Sequence, residues 1–324
     1  MTVATSPTGA VGRVRAAARW LHEHRRVHLA LEVALVLLTV GFCVWAVRSE
    51  WARAAPRLEN ASLAWLGLAF ATVAAYYLVF ILGWIRMLGT WEIHVSYRVA
   101  LQAEMVSMLA KYLPGGVWTP AARALALRRA TNVTDTPTVL ASILLEAVLS
   151  ALSGVIVFVV SLAWVRGVHA PLPLLLIFAV LLTTLLHPRI FRPLGNRLLR
   201  PFGAAHIEPL PLGTTLGLLL FYCGTWLIGG LAVWFMLAGL HATPPISTIA
   251  FLGGVSAIGA IVAVLAVFVP SGLGAREASM YGLLLAITDP APALGATVVN
   301  RLAITLVEVL LFLAGVATWR KARE

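Results

Sequence analysis

Ionisable side chains are scarce inside the apolar runs of this chain, and each is a candidate for chemistry. They are Glu32, Glu104, Lys111, Glu146, Arg276, Glu277, Arg301 and Glu308. A charge at the centre of a bilayer costs at least about 2.5–3.5 kcal/mol on insertion scales, so such groups face a partner or a wet cavity. Lys111 stands out further: of 24 basic residues only Lys111 and Lys321 are lysines. Lys111 and Arg276 each adjoin a break in an apolar stretch. The first break reads Lys111-Tyr112-Leu113-Pro114-Gly115-Gly116-Val117-Trp118, the second Pro270-Ser271-Gly272-Leu273-Gly274-Ala275-Arg276-Glu277. A helix starting after such a turn offers free N–H groups to an anion. Gly115, Gly116, Gly272 and Gly274 permit close backbone approach, and the Arg276 fork suits a phosphate. The chemistry expected is recognition of an anionic headgroup. The competing reading is a helix-breaking turn flanked by snorkelling cations.

These groups need elements that hold them at membrane depth. The chain is 60% hydrophobic and 11% charged over 324 residues, against about 25% charged in soluble domains. Apolar runs of about 20 residues recur, each sufficient for a helix across a hydrocarbon core of about 30 Å. Weak alternation argues against a β-barrel. The fold class expected is all-α and polytopic, with full spans near 29–47, 61–84, 138–165, 171–187, 212–240 and 293–318. Two interrupted regions, 98–130 and 246–288, read as re-entrant hairpins of two half-helices. If both cross completely, the count becomes eight. Proline-kinked ordinary helices are the competing reading. Interrupted segments at corresponding places in two halves point to a transporter binding site. They tolerate non-helical backbone only where protein or a cavity shields it from lipid.

The halves correspond by offset. Pro114 maps onto Pro270 with a shift of 156 (270 − 114). The same shift carries 61–84 to 217–240 and 138–165 to 294–321, both apolar. The domain layout is a basic segment, 1–28, and one transmembrane domain, 29–320, built of two repeats (about 29–165 and 171–320). Three crossings per half make the repeat inverted; eight crossings make it parallel. The shift also places Glu146 beside Arg301, so these two are expected to pair across the pseudo-symmetry axis, with Glu308 seven residues on from Arg301 along one helical face. A structural ion pair that fixes helix packing is the competing reading for this network.

A net charge of +11 invites a nucleic-acid reading, but the basic residues cluster at the ends of apolar runs, which is the positive-inside pattern. Arg13, Arg15, Arg19, Arg25 and Arg26 place the N-terminus in the cytoplasm. Arg86, Arg98, Arg123, Arg128 and Arg129 flank the first interrupted region on the same side, and Arg320, Lys321 and Arg323 place the C-terminus there too. Arg48, Arg53 and Arg57 run against this layout. The expected location is the plasma membrane, with both termini cytoplasmic. Trp45, Trp51, Trp65, Trp84, Trp164 and Trp319 lie near span ends and read as interfacial anchors, whereas Trp118 adjoins the break and can stack on a substrate. Cys43 and Cys223 have neither metal-ligand nor redox spacing and read as small buried hydrophobes.

The Lys111–Trp118 motif followed by Arg123, together with the Pro270–Glu277 motif, resembles the transmembrane family of lysylphosphatidylglycerol synthases. The resemblance covers about residues 25–320. It implies a polytopic lipid-handling protein, a flippase in the fused members. By motif match it carries over Lys111, Pro114, Gly115, Arg123, Pro270, Gly272, Gly274, Arg276 and Glu277 as site positions; Tyr112 and Gly116 join them by adjacency. Glu324 follows directly on the last span, so the soluble aminoacyl-transferase domain is expected to be missing, and lysylation is not the expected activity.

No enzyme chemistry is expected. Transferases acting on polyprenyl phosphates hold divalent cations with clustered carboxylates, but the only aspartates, Asp135 and Asp289, are far apart in sequence. No phosphate-loop motif is present, and no cofactor or metal is expected. The expected partners are membrane lipids carrying an anionic or polyprenyl-phosphate headgroup. The alternative function is a non-transporting accessory subunit of a membrane glycosyltransferase or another lipid-modifying enzyme.

Overall fold

The computed structural model describes residues 60–321 apart from 113–117, 132, 134, 166, 169–171, 200–207, 267–271 and 273. The basic segment 1–28, the expected span 29–47, Glu32, and Arg48, Arg53 and Arg57 lie outside the described residues, as do Pro114, Gly115, Gly116 and Pro270. The described residues form helices and no strand. In chain order they are α1 (Leu63–Thr90), α2 (Tyr97–Ser107) with a 3-10 turn (Met108–Tyr112), α3 (Trp118–Ala130) and α4 (Thr136–Ser161). Then come α5 (Leu172–Leu186), α6 (Pro188–Leu199), α7 (Leu212–Gly239), α8 (Ile249–Leu265), α9 (Ala275–Leu284) and α10 (Pro290–Lys321).

Among the described residues, five segments are long and apolar enough to cross a membrane: Leu63–Thr90, Thr136–Ser161, Leu212–Gly239, Ile246–Leu265 and Pro290–Ala317. The span expected over 171–187 is shorter than that. α5 has 15 residues, and the chain then bends by 75° into α6. The bend falls at Pro188, the first residue of α6, because proline cannot donate to the helical ladder of the preceding helix. α6 carries Arg189, Arg192 and Arg197 on an exposed face while Phe191 packs against the buried Ala141–Leu199 cluster.

Both interrupted regions are pairs of helices flanking a break, and in the second the first member, α8 with its preceding turn, is itself long enough to span. α2 and α3 lie on either side of 113–117, and α8 and α9 on either side of 267–273. In each region the two halves pack against each other. α2 meets α3 through small residues, Ala100 and Ala103 against Ala124 and Leu127, under Ile81 and Trp84 of α1. On the α8–α9 side, a Cβ at Gly259 would lie 2.7 Å from Met280 Cγ and 3.3 Å from Arg276 Cγ. Gly272 has φ +63°, and a Cβ there would lie 2.3 Å from that of Ala263. Only glycine serves at that turn.

The order long helix, half, half, long helix occurs twice, as α1–α4 and as α7–α10. Helix contacts follow the same exchange: α2 packs on α10 as α8 packs on α4, and α1 packs on α7. α1 and α7 run antiparallel. Ser62 N donates to Gly239 O at 2.9 Å, and further along, Gly83 abuts Tyr222. Glycines set the closest approaches. A Cβ at Gly230 would lie 2.2 Å from Ile249 O, one at Gly253 2.5 Å from Trp226 O, and one at Gly254 2.6 Å from Phe158 Cα. α8 is thereby held tightly between α7 and α4, as small residues allow in membranes.

Trp84 departs from the interfacial role expected of it. It is fully buried, and its Nε1 donates to Ser142 Oγ at 2.8 Å. An indole N–H taken out of water needs an acceptor, and α4 supplies one. Trp65 and Trp164 keep exposed faces, in line with anchoring. Trp45 and Trp51 lie outside the described residues.

Candidate functional site

Three groups of charged side chains sit inside the helical bundle. The first joins α2, α3 and α4. Arg123 is 3% exposed. Its Nη1 donates to Glu146 Oε2 at 2.6 Å, and its Nε lies 2.9 Å from Glu104 Oε2. The second contact is an ion pair whose N–H points off the oxygen. The guanidinium also lies 3.8 Å over the Trp84 ring, a cation–π contact. Tyr222 Oη donates to Glu146 Oε1 at 3.1 Å from α7. The second group joins the 3-10 turn to α10 and α1: Lys111 Nζ and Tyr77 Oη both donate to Glu308, which is 1% exposed. The third links α9 to α10 through Glu277 Oε1 and Arg301 Nη1 at 3.5 Å.

Glu146 and Arg301 therefore do not pair with each other. They hold matching places, eleventh in α4 and twelfth in α10, as their offset implied. Each has its ion-pair partner within its own half, Arg123 of α3 for Glu146 and Glu277 of α9 for Arg301. The polarity is reversed between halves: cation on the half-helix and carboxylate on the long helix in the first, the opposite in the second.

The N-terminus of α9 also departs from expectation. Gly274 has φ +80° and begins the helix, but its N–H donates to Glu277 Oε2 at 2.7 Å. The acidic residue expected beside an anion cradle occupies part of it, as a carboxylate at a helix start does when it answers unpaired N–H groups.

A cavity of about 150 Å³ lies between these groups. Its polar wall is Glu104, Ser256, Arg276 and Asn300, and its aromatic wall is Tyr76, Tyr77, Phe80 and Trp226. Both interrupted regions reach it, the first through Glu104 of α2, the second through Ser256 of α8 and Arg276 of α9. Arg276 differs from the other interior cations. Among the described residues no carboxylate lies within ion-pair distance of it, and its Nε is buried without a hydrogen-bond partner. Ser256 Oγ is likewise buried and unpartnered. Unpaired buried polar atoms cost about 1–3 kcal/mol each and call for an explanation. Arg276 is within electrostatic reach of Tyr77, Glu277, Glu308 and Arg301, and Tyr76 is within reach of Arg276, Glu104 and Glu146.

Of the expected phosphate-holding residues that are described, Arg276 lines the cavity and Lys111 and Arg123 do not; the intramembrane Glu104 lines it as well. Lys111 and Arg123 are engaged by internal carboxylates, and Glu277 holds Arg301 and Gly274. Gly272 and Gly274 shape the turn that delivers Arg276. Tyr112 closes the 3-10 turn. Trp118 is 46% exposed and is not part of the cavity wall. Tyr76, Tyr77, Tyr222, Trp226, Ser256 and Asn300 were not singled out by sequence. Asn300, a polar residue next to Arg301 in an apolar helix, carried the signal most plainly.

No curated protein matches the chain. The family model for the lysylphosphatidylglycerol synthase transmembrane region matches residues 29–311, nearly the whole chain. Long apolar helices, paired half-helices and that match agree, and the chain belongs to the lysylphosphatidylglycerol synthase transmembrane-region family of membrane proteins.

Proposed function

We propose that the central cavity binds the phosphate of an anionic or polyprenyl-phosphate-linked lipid and lets that headgroup change leaflet, as a flippase does, without chemistry on the lipid. The observation that carries this reading is Arg276, an arginine in the cavity wall with no carboxylate partner among the described residues. A guanidinium fork matches a phosphate bidentately, and Ser256 and Asn300 supply further polar atoms on the same wall. The volume of about 150 Å³ is several times the roughly 30 Å³ share of one water. It suits a headgroup whose tails stay in the bilayer. Purification with native lipids followed by mass spectrometry tests this. A phosphate-bearing lipid is expected with the wild type and is depleted at least about tenfold in Arg276→Gln, as loss of one charge-assisted contact implies. Equal lipid content in both would remove Arg276 from the site. No phosphate lipid in either favours the accessory-subunit function.

The membrane arrangement we propose is an inverted repeat with re-entrant half-helix pairs, in the plasma membrane with cytoplasmic termini. Antiparallel α1 and α7, which occupy equivalent places in the two halves, support it. An even number of crossings must lie between them; a re-entrant first region, with α4 and α5–α6 each crossing once, provides two, whereas eight full spans put three between them and make them parallel. Single cysteines at Arg98 and Arg129, both exposed, in a background without Cys43 and Cys223, are expected to react with an impermeant thiol reagent from the same face. Labelling from opposite faces contradicts the re-entrant arrangement.

A further inference from the structure

Among the described residues the interior charges divide unevenly across the cavity. On one side, two carboxylates, Glu104 and Glu146, share the single guanidinium of Arg123. That triad carries one surplus negative charge. On the other side, three cations, Lys111, Arg276 and Arg301, stand with two carboxylates, Glu277 and Glu308, leaving one surplus positive charge. Glu104 and Arg276 both line the cavity, so the surpluses face each other through it and balance while it holds no anion. An anion on Arg276 consumes the positive surplus. The triad is then left with an uncompensated charge in an apolar interior, which is a large penalty unless a proton neutralises it.

We propose that the Glu104–Arg123–Glu146 triad binds one proton when an anion occupies Arg276, so that headgroup and proton enter the cavity together. The proposal rests on the headgroup reading above and adds its coupling ion. The proton bonds to a carboxylate oxygen of the pair, and Arg123 retains the other carboxylate as its counter-charge. The groups that face this pair are few. α3 offers Arg123, α7 offers Tyr222, and α1 offers Tyr76 and Tyr77. The 3-10 turn and α10 offer Lys111, Arg301 and Glu308, which belong to the opposite group, as do Arg276 and Glu277 of α9. α5 and α8 carry no titratable side chain. Arg86, Arg98, Arg128, Arg129, Arg189, Arg192 and Arg197 are exposed at helix ends. Glu104 in the cavity wall gives the proton the same entrance as the headgroup. Linkage is reciprocal: what the anion does for the proton, the proton does for the anion.

Titration calorimetry with dihexanoyl phosphatidylglycerol, whose phosphodiester neither gains nor loses a proton near neutral pH, tests this. Wild type in buffers of different ionisation enthalpy is expected to take up about one proton per lipid bound, with affinity falling up to about tenfold per unit of rising pH. Glu104→Gln and Glu146→Gln each leave Arg123 one carboxylate, and each is expected to bind the lipid with about zero proton uptake. Binding by wild type without proton uptake overturns the proposal and spares the headgroup reading. Uptake that persists in both variants overturns its assignment to the triad. Absence of binding by wild type overturns the headgroup reading and this proposal with it. If neither variant folds, the wild-type buffer dependence decides alone.

Discussion

Arg123→Met is expected to be the most damaging single substitution in the interior, lowering stability by about 3–5 kcal/mol, the usual cost of breaking a buried ion pair by removing one partner. Arg123 is 3% exposed and serves two carboxylates at 2.6 and 2.9 Å. Its loss strands both and empties the face of Trp84. Methionine fills much of the volume, so the effect reports charge and not a cavity. Adding Glu104→Gln and Glu146→Gln removes the stranded charges, and the triple variant is expected to recover most of the loss. The thermal midpoint in detergent, followed by size-exclusion fluorescence, checks both statements. The same method separates two pairings. A cycle of Arg123 with Glu146 is expected to show coupling of about 0.5–3 kcal/mol, whereas Glu146 with Arg301 is expected to be additive within about 0.5 kcal/mol. Strong coupling between Glu146 and Arg301 contradicts the described contacts.

Arg276→Gln is expected to behave in the opposite way, sparing the fold and removing the ligand. Arg276 has no carboxylate within ion-pair distance among the described residues, so its neutralisation breaks no direct pair, and a proton on the Glu104–Glu146 pair offsets the surplus that it leaves across the cavity. Losing one member of a buried, hydrogen-bonded charge pair with a bound phosphate costs about 2–5 kcal/mol. That is a fall in affinity of about thirtyfold to several thousandfold. Lys111→Met gives the contrast: buried Glu308 loses the cation that Lys111 supplies, so stability drops more than affinity. Calorimetric affinity beside thermal midpoint distinguishes them. Equal midpoints and equal affinities for wild type and Arg276→Gln contradict the assignment.

Much of this was legible from residue types. Composition required apolar helices, and the Pro-Gly signals marked both places where half-helices meet. The cost of charge in hydrocarbon singled out Glu104, Lys111, Glu146, Arg276, Glu277, Arg301 and Glu308, all of which meet inside the bundle. Partner choice was not legible. The offset placed Glu146 and Arg301 at equivalent positions, but equivalence under a pseudo-twofold does not bring two residues together. Which helices touch decides pairing: α3 packs on α4 and α9 on α10, each within its own half. Lys111 and Arg123 looked like free cations because their carboxylates are 197 and 23 residues away. The α9 N-terminus looked open because Glu277 was read as a neighbour of the anion and not as the group that answers Gly274 N. The aromatic wall was hidden because Tyr76, Tyr77 and Trp226 have the pattern of ordinary core. Trp84 sits near a span end in sequence, yet α2 and α3 fold over it.

The most direct test of the central claim is lipid translocation by purified protein in liposomes. Fluorescent phospholipids with anionic and with zwitterionic headgroups, and a polyprenyl phosphate, are followed by quenching of the outer leaflet. Wild type is expected to move a phosphate lipid between leaflets, and Arg276→Gln, folded to the same midpoint, to fall at least about thirtyfold behind it. Translocation by Arg276→Gln at the wild-type rate, or no movement of any of these lipids by wild type, contradicts the claim that this cavity carries headgroups across the membrane.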